Sequence, residues 1–155
     1  NKNIGIILRN YQKKHEIKQI LKLRNFCKAN GRKLYLANNF KLASNLGLNG
    51  VYIPAFNKKI NFCDFVQKKN FLIMGSAHNT FDIKTKEKQG AELIFLSPLF
   101  KTKNYKKGLG IVKFNNLSLR TNKKIIALGG IKKKNINKLK IANIYGFSGI
   151  SYFKQ

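Results

Sequence analysis

Short, continuously apolar runs recur along the chain and are separated by polar stretches. They are rich in β-branched and aromatic residues, a pattern typical of strands that are buried on both faces of a parallel sheet. The predicted strands are Ile4–Leu8, Lys33–Leu36, Gly50–Ile53, Phe71–Met74, Leu93–Leu96, Ile125–Leu128 and Phe147–Ile150.

Apolar residues with helical spacing occupy several of the intervals between these strands. They predict helices at residues 17–27, 62–66 and 136–141, with weaker signals after Asn79 and around residues 117–119. Gly31 follows the first helix, where a glycine commonly ends a helix. Strands and helices therefore alternate along the chain, which is the order of an α/β fold.

Alternation of this kind predicts parallel strand pairing through right-handed crossovers. An open doubly wound sheet and a closed barrel both satisfy it, but no G-x-G-x-x-G turn follows the first strand, which disfavours a dinucleotide fold. About seven units fit, one fewer than a (β/α)₈ TIM barrel contains. We therefore predict a single barrel domain over residues 1–155 that lacks its first β-strand, and the non-Met residue Asn1 suggests that the first unit was cut away or never included.

The chain is strongly basic, with 32 Lys and Arg against 5 Asp and Glu and a net charge of +27. Clustered cations favour nucleic-acid binding, because they release counterions from a phosphate backbone. A biased, AT-rich coding sequence is the alternative, since Lys, Asn, Ile and Phe are enriched together and the lysines fall throughout the chain. We favour this second interpretation and rank a basic nucleic-acid-binding protein third among the functional hypotheses. Under either interpretation, the net positive charge produces an electrostatic field that attracts anionic metabolites.

The cysteines and the hydropathy indicate a cytoplasmic protein. Cys27 and Cys63 lack metal-ligand spacing and lie in helix-like apolar patterns, so we expect reduced, buried thiols. No apolar run approaches the length of a membrane span, and no signal peptide is visible. We expect no membrane partner, and the sequence leaves the oligomeric state open.

Candidate site residues follow from the predicted barrel, in which reacting groups lie at the carboxyl ends of the strands. These ends are Arg9, Asn38-Asn39, Ser76-Ala77-His78, Ser97-Pro98, Gly129-Gly130 and Ser151–Lys154. The set is rich in phosphate binders and poor in acid–base groups. The bare backbone N–H groups of Gly129-Gly130 could close on a phosphate, and a tight turn that needs positive φ is an equal alternative.

Four segments occur in an order and spacing that resemble the thiamine phosphate synthase/TenI family. They are GSAHN at Gly75–Asn79, GAELIFLSPLFKTK at Gly90–Lys103, ALGGI at Ala127–Ile131 and GFSGI at Gly146–Ile150. The upstream segment at residues 33–54 is also similar, and the match begins at what would be the family's second strand. The resemblance implies a (β/α)₈ barrel that binds small phosphorylated heteroaromatic ligands. Its synthase members couple an aminopyrimidine diphosphate to hydroxyethylthiazole phosphate and release pyrophosphate.

The resemblance also implies roles for individual residues, although it identifies no catalytic residue. On the pyrimidine diphosphate side it implies Arg9, Asn38 and Ser76. On the thiazole phosphate side it implies Thr102, Gly130, Phe153 and Lys154. Lys103 and Lys106 are further candidates for neutralising the diphosphate, and Tyr11 stands at a lysine position of the family.

Mg²⁺ is expected from the family, but its carboxylate ligands are absent here. One aspartate position is Asn39, a weak neutral ligand, and the other falls in Ile53–Asn57, which contains no carboxylate. By pattern, none of the five acidic residues lies at the carboxyl end of a strand. A catalytically degenerate, TenI-like barrel that binds phosphate ligands is therefore the alternative to a synthase-like transferase. Pro98 stands where the tautomerase branch has a histidine, so that activity is not indicated.

Histidine and aromatic side chains complete the set of candidate site residues. His15 is expected on the solvated surface, whereas His78 lies beside the predicted mouth and could titrate near neutrality or serve only in packing. Aromatic residues near the mouth could sandwich a flat ring or fill the core. They are Phe56, Phe100, Tyr105 and Tyr152.

Overall fold

The seven strands of the protein form one parallel sheet in which spatial order equals chain order. The computed structural model describes residues 4–11, 16–60 and 70–153. The strands are β1 Gly5–Leu8, β2 Lys33–Ala37, β3 Gly50–Ile53, β4 Leu72–Ala77, β5 Leu93–Leu96, β6 Lys124–Leu128 and β7 Gly146–Ser148. Each strand pairs in parallel with the next along the chain.

Helices connect or follow most of these strands. They are α1 Ile17–Ala29, α2 Phe40–Asn45, α3 Thr80–Lys88, α4 Gly110–Ser118 and α5 Ile150–Phe153, with a 3₁₀ helix at Lys133–Ile141. The result is a curled, seven-stranded sheet like that of a TIM-like barrel lacking a strand. Within the described ranges β1 and β7 are the two edges of the sheet. That the complete barrel has eight strands, the first of them missing from this chain, stays a prediction.

Successive strand residues point to opposite faces of the sheet, because the side-chain period of a strand is two. One set packs under the helices; Leu36, Ile94 and Leu96, for example, are fully buried there. The other set packs mainly on itself, and we call its side the inner face. Its buried members are Tyr35, Ala37, Tyr52, Met74, Phe95 and Ile126.

Most of the predicted elements are confirmed, with local differences. The predicted seventh strand ends early, because Ile150 begins α5. The predicted helix at 136–141 is a 3₁₀ helix in which Leu139 is the buried residue; a single buried side chain offers little packing to stabilise a longer regular helix. The weak signal after Asn79 corresponds to a regular helix, α3. The predicted helix at 62–66 lies outside the described residues, as do Cys63 and His15.

Burial falls from the centre of the sheet to its edges. β3 consists of buried residues, whereas no residue of β1 or β7 is fully buried. Cys27, on α1, is a buried free thiol as predicted, and burial raises its pKa. None of the helices in the described part of the chain is long and apolar enough to cross a bilayer.

Candidate functional site

A cavity of about 510 Å³ opens at the carboxyl ends of the strands. Many of its lining residues come two positions after a strand residue that points to the inner face, and they therefore point to the same side. Ser76 follows Met74 in this way, and Ser97 follows Phe95. The lining residues are Arg9, Tyr11, Tyr52, Pro54, Ala55, Phe56, Lys58, Ser76, His78, Asp82, Ser97, Tyr105 and Leu128. The parallel sheet therefore gathers side chains from β1, β3, β4, β5 and β6 into one wall.

Several predicted site residues meet in this cavity. Arg9 is exposed just beyond β1, with its guanidinium carbon 5.7 Å from the centre of the Tyr11 ring. Ser76 is 5% exposed near the end of β4 and faces the cavity. Burial raises the pKa of Tyr11 to about 12, and the nearby Tyr52 acts in the same direction, so Tyr11 is a neutral hydrogen-bonding group near pH 7.

Asn38 and Asn39 lie at the end of β2 but do not line the cavity. Asn38 adopts a left-handed φ of 58°, which asparagine tolerates better than most residues. Its Oδ1 accepts a hydrogen bond of 2.7 Å from Asn57 Nδ2, which ties β2 to the segment after β3. The Asn39 Oδ1 caps α2 by accepting from the Leu42 N–H at 3.0 Å. The oxygen proposed as a weak metal ligand therefore already has a structural partner.

The turn at Gly129-Gly130, predicted to bind phosphate, packs closely against the backbone of the loop after β5. Gly129 and Gly130 have φ values of 100° and 68°. A Cβ on Gly130 would lie 2.5 Å from the carbonyl oxygen of Lys101, so the approach of the loop after β5 requires glycine there. Thr102 and Tyr105 form reciprocal hydrogen bonds of 3.0 and 3.1 Å within that loop. Phosphate binding at this turn stays a prediction.

The remaining predicted phosphate residues are more dispersed. Phe153 is 52% exposed and stacks on Phe147, with ring centroids 6.2 Å apart. Lys103 and Lys106 are exposed in the loop after β5 and do not line the cavity. Lys154 lies outside the described residues.

The aromatic candidates divide into two pairs. Phe56 and Tyr105 line the cavity with exposed rings, where a flat ligand ring could contact them. Phe100 and Tyr152 are partly buried and pack against the main core, as the core-filling alternative expected.

His78 is held by the end of β5. Its Nδ1 lies 2.8 Å from the Ser97 carbonyl oxygen and 3.3 Å from the Ser97 Oγ. Since a carbonyl can only accept, Nδ1 donates, which makes Nε2 the unprotonated nitrogen of the neutral ring. The ring centroid is 6.0 Å from that of Tyr105. His78 is thus a packed, hydrogen-bonded residue of the cavity wall.

None of the acidic residues was predicted at a strand end, yet Asp82 lines the cavity from a helix. Asp82 lies in the first turn of α3, which begins immediately after β4, and this turn reaches the cavity. The residue is 5% exposed. One carboxylate oxygen pairs with Lys58 Nζ, and the other accepts from the His78 N–H at 3.0 Å. Sequence analysis also missed Lys58, which comes from the irregular segment after β3.

A buried lysine supports this segment from behind. Lys86 of α3 is fully buried, and its Nζ donates to the carbonyl oxygens of Pro54 and Asn57 at 2.9 and 2.7 Å and to Gln89 Oε1 at 2.7 Å. Gln89 Nε2 in turn donates to the Asn57 oxygen at 3.0 Å. Burial lowers the pKa of Lys86 to about 8; the charge of Lys58 adds to this shift and Asp82 opposes it.

Gly75 provides the space for this lysine. A Cβ on Gly75 would lie 2.6 Å from Lys86 Cδ and 2.8 Å from Cγ, so any side chain there would collide with the lysine stem. Asp82, Lys86 and Gln89 are spaced i, i+4 and i+7, which places all three on one face of α3. An apolar stripe would be expected on a helix that faces a core, so the polar stripe marks α3 as unusual in the sequence without identifying its partners.

Among the described residues, the oxygens considered as Mg²⁺ ligands already have other partners. No group of three or more His, Cys, Asp or Glu side chains comes together among them. The Asp82 carboxylate already binds an ammonium and a backbone N–H, and the Asn39 oxygen caps a helix. Mg²⁺ in phosphate-binding sites is usually held by one or two carboxylates together with waters and substrate phosphates, so a protein ligand here would have to exchange its present partner for the ion.

The curled parallel sheet and the cavity at its carboxyl edge define a TIM-like β/α protein with its candidate site at the strand ends. The chain belongs to the thiamine monophosphate synthase family, whose model matches residues 4–153. Putative thiamine-phosphate synthase 2 of Aquifex aeolicus is 33% identical over 125 residues, covering 77% of this chain and 65% of that protein. A thiamine-phosphate synthase of Prochlorococcus marinus is 28% identical over 130 residues, covering 83% of this chain and 38% of that protein. The chain thus spans less than two thirds of either relative.

Solved structures show the same fold. Thiamine phosphate pyrophosphorylase from Pyrococcus furiosus aligns with a TM-score of 0.74 at 16% identity, covering 95% of this chain and 71% of that one. A structure described as native KDPGal aligns with a TM-score of 0.69 at 12% identity, covering 97% and 70%. At these identities the likeness concerns the fold alone.

Proposed function

We propose that the protein is a thiamine phosphate synthase-like transferase of thiamine biosynthesis, built on a (β/α)₈-type barrel. It would couple an aminopyrimidine diphosphate to hydroxyethylthiazole phosphate and release pyrophosphate. Membership of the family supports this proposal, and one observation of the site carries it: Arg9, Lys58 and Ser76 line a single cavity at the carboxyl edge of the sheet. Two cations and a hydroxyl are groups that bind phosphate oxygens.

The proposed reaction asks little acid–base chemistry of the protein. The thiazole phosphate displaces pyrophosphate from the aminopyrimidine methyl diphosphate, and the bonding electrons leave with the pyrophosphate. Positioning the two substrates and neutralising the developing negative charge are then the main contributions of the protein. Arg9 supplies charge at the mouth, and the exposed rings of Phe56 and Tyr105 offer surfaces for a flat heteroaromatic ring.

Arg9→Ala tests the proposal. We expect thiamine phosphate formation from the two substrates to fall at least about tenfold, because a charge-assisted contact to the diphosphate is lost. Arg120→Ala is the matched control, since Arg120 is exposed between α4 and β6 and does not line the cavity. Unchanged ligand binding and turnover in Arg9→Ala would contradict the assignment of this residue to the diphosphate side.

A degenerate, TenI-like barrel that binds phosphorylated ligands is the second candidate. The ligand set favours it, because the described residues bring no group of three or more His, Cys, Asp or Glu side chains together and the cavity carboxylate of Asp82 is already paired with Lys58. Calorimetry with the thiazole phosphate distinguishes the two candidates when combined with the product assay. Binding without product formation supports the degenerate barrel, whereas product formation supports the synthase.

A further inference from the structure

The cavity wall contains a cation that is held in a fixed position. Lys58 Nζ pairs with the Asp82 carboxylate and lies 5.4 Å from the centre of the Phe81 ring. Lysine normally carries its charge on a freely rotating stem. Here a nearly buried carboxylate on α3 and an aromatic face restrict that freedom.

The backbone that leads to Lys58 is restrained as well. The carbonyl oxygens of Pro54 and Asn57 accept hydrogen bonds from Lys86 Nζ, and that of Asn57 also accepts one from Gln89 Nε2. The Asn57 side chain bonds to Asn38 at the end of β2. The segment from β3 to Lys58 is therefore anchored to α3 and to β2 although it has no regular secondary structure.

The ion pair is oriented so that an incoming anion meets the cation. The Lys58 side chain is 43% exposed, whereas that of Asp82 is 7% exposed. An ammonium has three N–H donors, and Asp82 engages one of them in the ion pair. Within the described ranges no other residue accepts from the remaining donors, and Arg9 contributes a second positive charge to the same cavity.

We propose that Lys58, fixed by Asp82, takes the place of a divalent cation: its ammonium binds the diphosphate or phosphate group of the ligand directly, and binding at this cavity does not require Mg²⁺. The proposal rests on the proposed function, since it assumes that an anionic phosphorylated ligand occupies the cavity. It accounts for two observations together: the described residues contain no cluster of carboxylates for a metal ion, and a restrained lysine lies in the cavity wall instead.

Inorganic pyrophosphate is the probe for the test. Its affinity for the 155-residue chain is measured by calorimetry, once with EDTA and once with Mg²⁺. We expect binding in EDTA to be at least as tight as with Mg²⁺, because Mg²⁺ competes with Lys58 for the same oxygens. Lys58→Gln should weaken binding in EDTA at least about tenfold, the size of a lost charge-assisted contact.

Lys59→Gln is the matched control, with the same loss of charge one residue away. Lys59 is exposed, does not line the cavity, and contacts Asn57 and Gln89 through its backbone. We expect its affinity for pyrophosphate to stay within about twofold of the unsubstituted chain, apart from the small effect of net charge. Circular dichroism confirms that both variants are folded.

The outcomes separate this inference from the proposed function. Binding that requires Mg²⁺, or an equal loss in both variants, overturns the role of Lys58 and leaves the proposed function standing. If neither pyrophosphate nor the thiazole phosphate binds under any of these conditions, the role of Lys58 and the proposed function are both overturned.

Discussion

At the scale of single residues, the most consequential feature is an amine buried behind the cavity wall. Lys86 donates to two carbonyl oxygens and to Gln89, and together these bonds define the course of the segment that carries Lys58. Removing the donor would take one hydrogen bond from each of these carbonyl oxygens, leaving Pro54 O only the Asn57 N–H and Asn57 O only Gln89 Nε2. We therefore regard Lys86 as a positioning residue for the cavity.

Lys86 also predicts a distinctive pH dependence of stability. Its pKa is about 8 in the folded protein against an ordinary value of 10.5, so the unfolded chain binds more protons between these values. Stability conferred by Lys86 must then rise as pH increases from about 8 to 10.5, by roughly 3 kcal/mol in total. Below pH 8 the full cost of burying the charged amine is present.

The measurement compares urea unfolding of the unsubstituted chain and of Lys86→Met across this pH range. The difference in unfolding free energy should widen with pH in favour of the unsubstituted chain. Groups with raised pKa, such as Cys27 and Tyr35, are common to both proteins and largely cancel. Lys113→Gln, a change of an exposed lysine on α4, should show no such trend. A difference that stays flat or narrows above pH 8 would refute the assignment.

At the scale of elements, α3 joins the fold to the candidate site. Its first turn presents Asp82 to Lys58 and to the His78 backbone, and Lys86 and Gln89 follow on the same face. Asn79 is the N-cap, and its Oδ1 accepts from the Asp82 N–H at 2.8 Å. The start of this helix therefore determines where the cavity carboxylate lies.

Asn79→Ala should weaken both the helix and the site. We expect a loss of about 1 kcal/mol in unfolding free energy, typical of removing an N-cap side chain. Pyrophosphate affinity should fall with it, because fraying of the first turn releases Asp82 and hence Lys58. Denaturant unfolding and calorimetry supply the two readouts. Asn116→Ala, at an exposed position of α4, should leave both unchanged or stability slightly higher; equal behaviour of the two variants would count against a role for the cap.

The elements also show how far the sequence could predict the fold. Apolar runs located the strands because a strand buried on both faces has a strong local signal. The residues two positions beyond the inner-face side chains, such as Arg9 and Ser76, could be assigned to the site by position alone. Lys58 and Asp82 could not, because one lies in an irregular segment and the other on a helix whose buried face is polar. Their contact depends on the packing of α3 against the segment after β3, which no local pattern encodes.

At the scale of the whole molecule, the net charge of +27 opposes the compact state. Five acidic residues provide few partners for 32 cations, and the described ranges contain ion pairs at Lys58–Asp82 and Lys84–Glu87. The remaining positive charges repel one another over distances that salt can screen, since the Debye length falls from roughly 30 Å at 0.01 M to about 10 Å at 0.1 M ionic strength.

Thermal stability should therefore increase with ionic strength. Raising NaCl from about 0.01 M to about 0.1 M should raise Tm by roughly 4 °C, the shift that corresponds to about 1 kcal/mol in a domain of this size. Differential scanning calorimetry at fixed pH measures it, and an equal concentration of uncharged sucrose serves as the control for solvent effects. A Tm that is constant or falls over this interval would show that the lysines do not repel one another strongly in the folded state.

The contact between Gly75 and Lys86 also constrains the order in which the two residues could arise during evolution. With Gly75 in place, a smaller residue at position 86 leaves a void, which lowers stability but needs no movement of the backbone. With Lys86 in place, a Cβ at position 75 meets the lysine stem at 2.6 Å. A lineage changing one residue at a time would therefore acquire the glycine before the lysine, and would lose the lysine before the glycine. The shape of this one contact therefore makes the two substitutions dependent on each other, since only a chain with Gly75 accommodates the lysine at position 86 without displacing its stem.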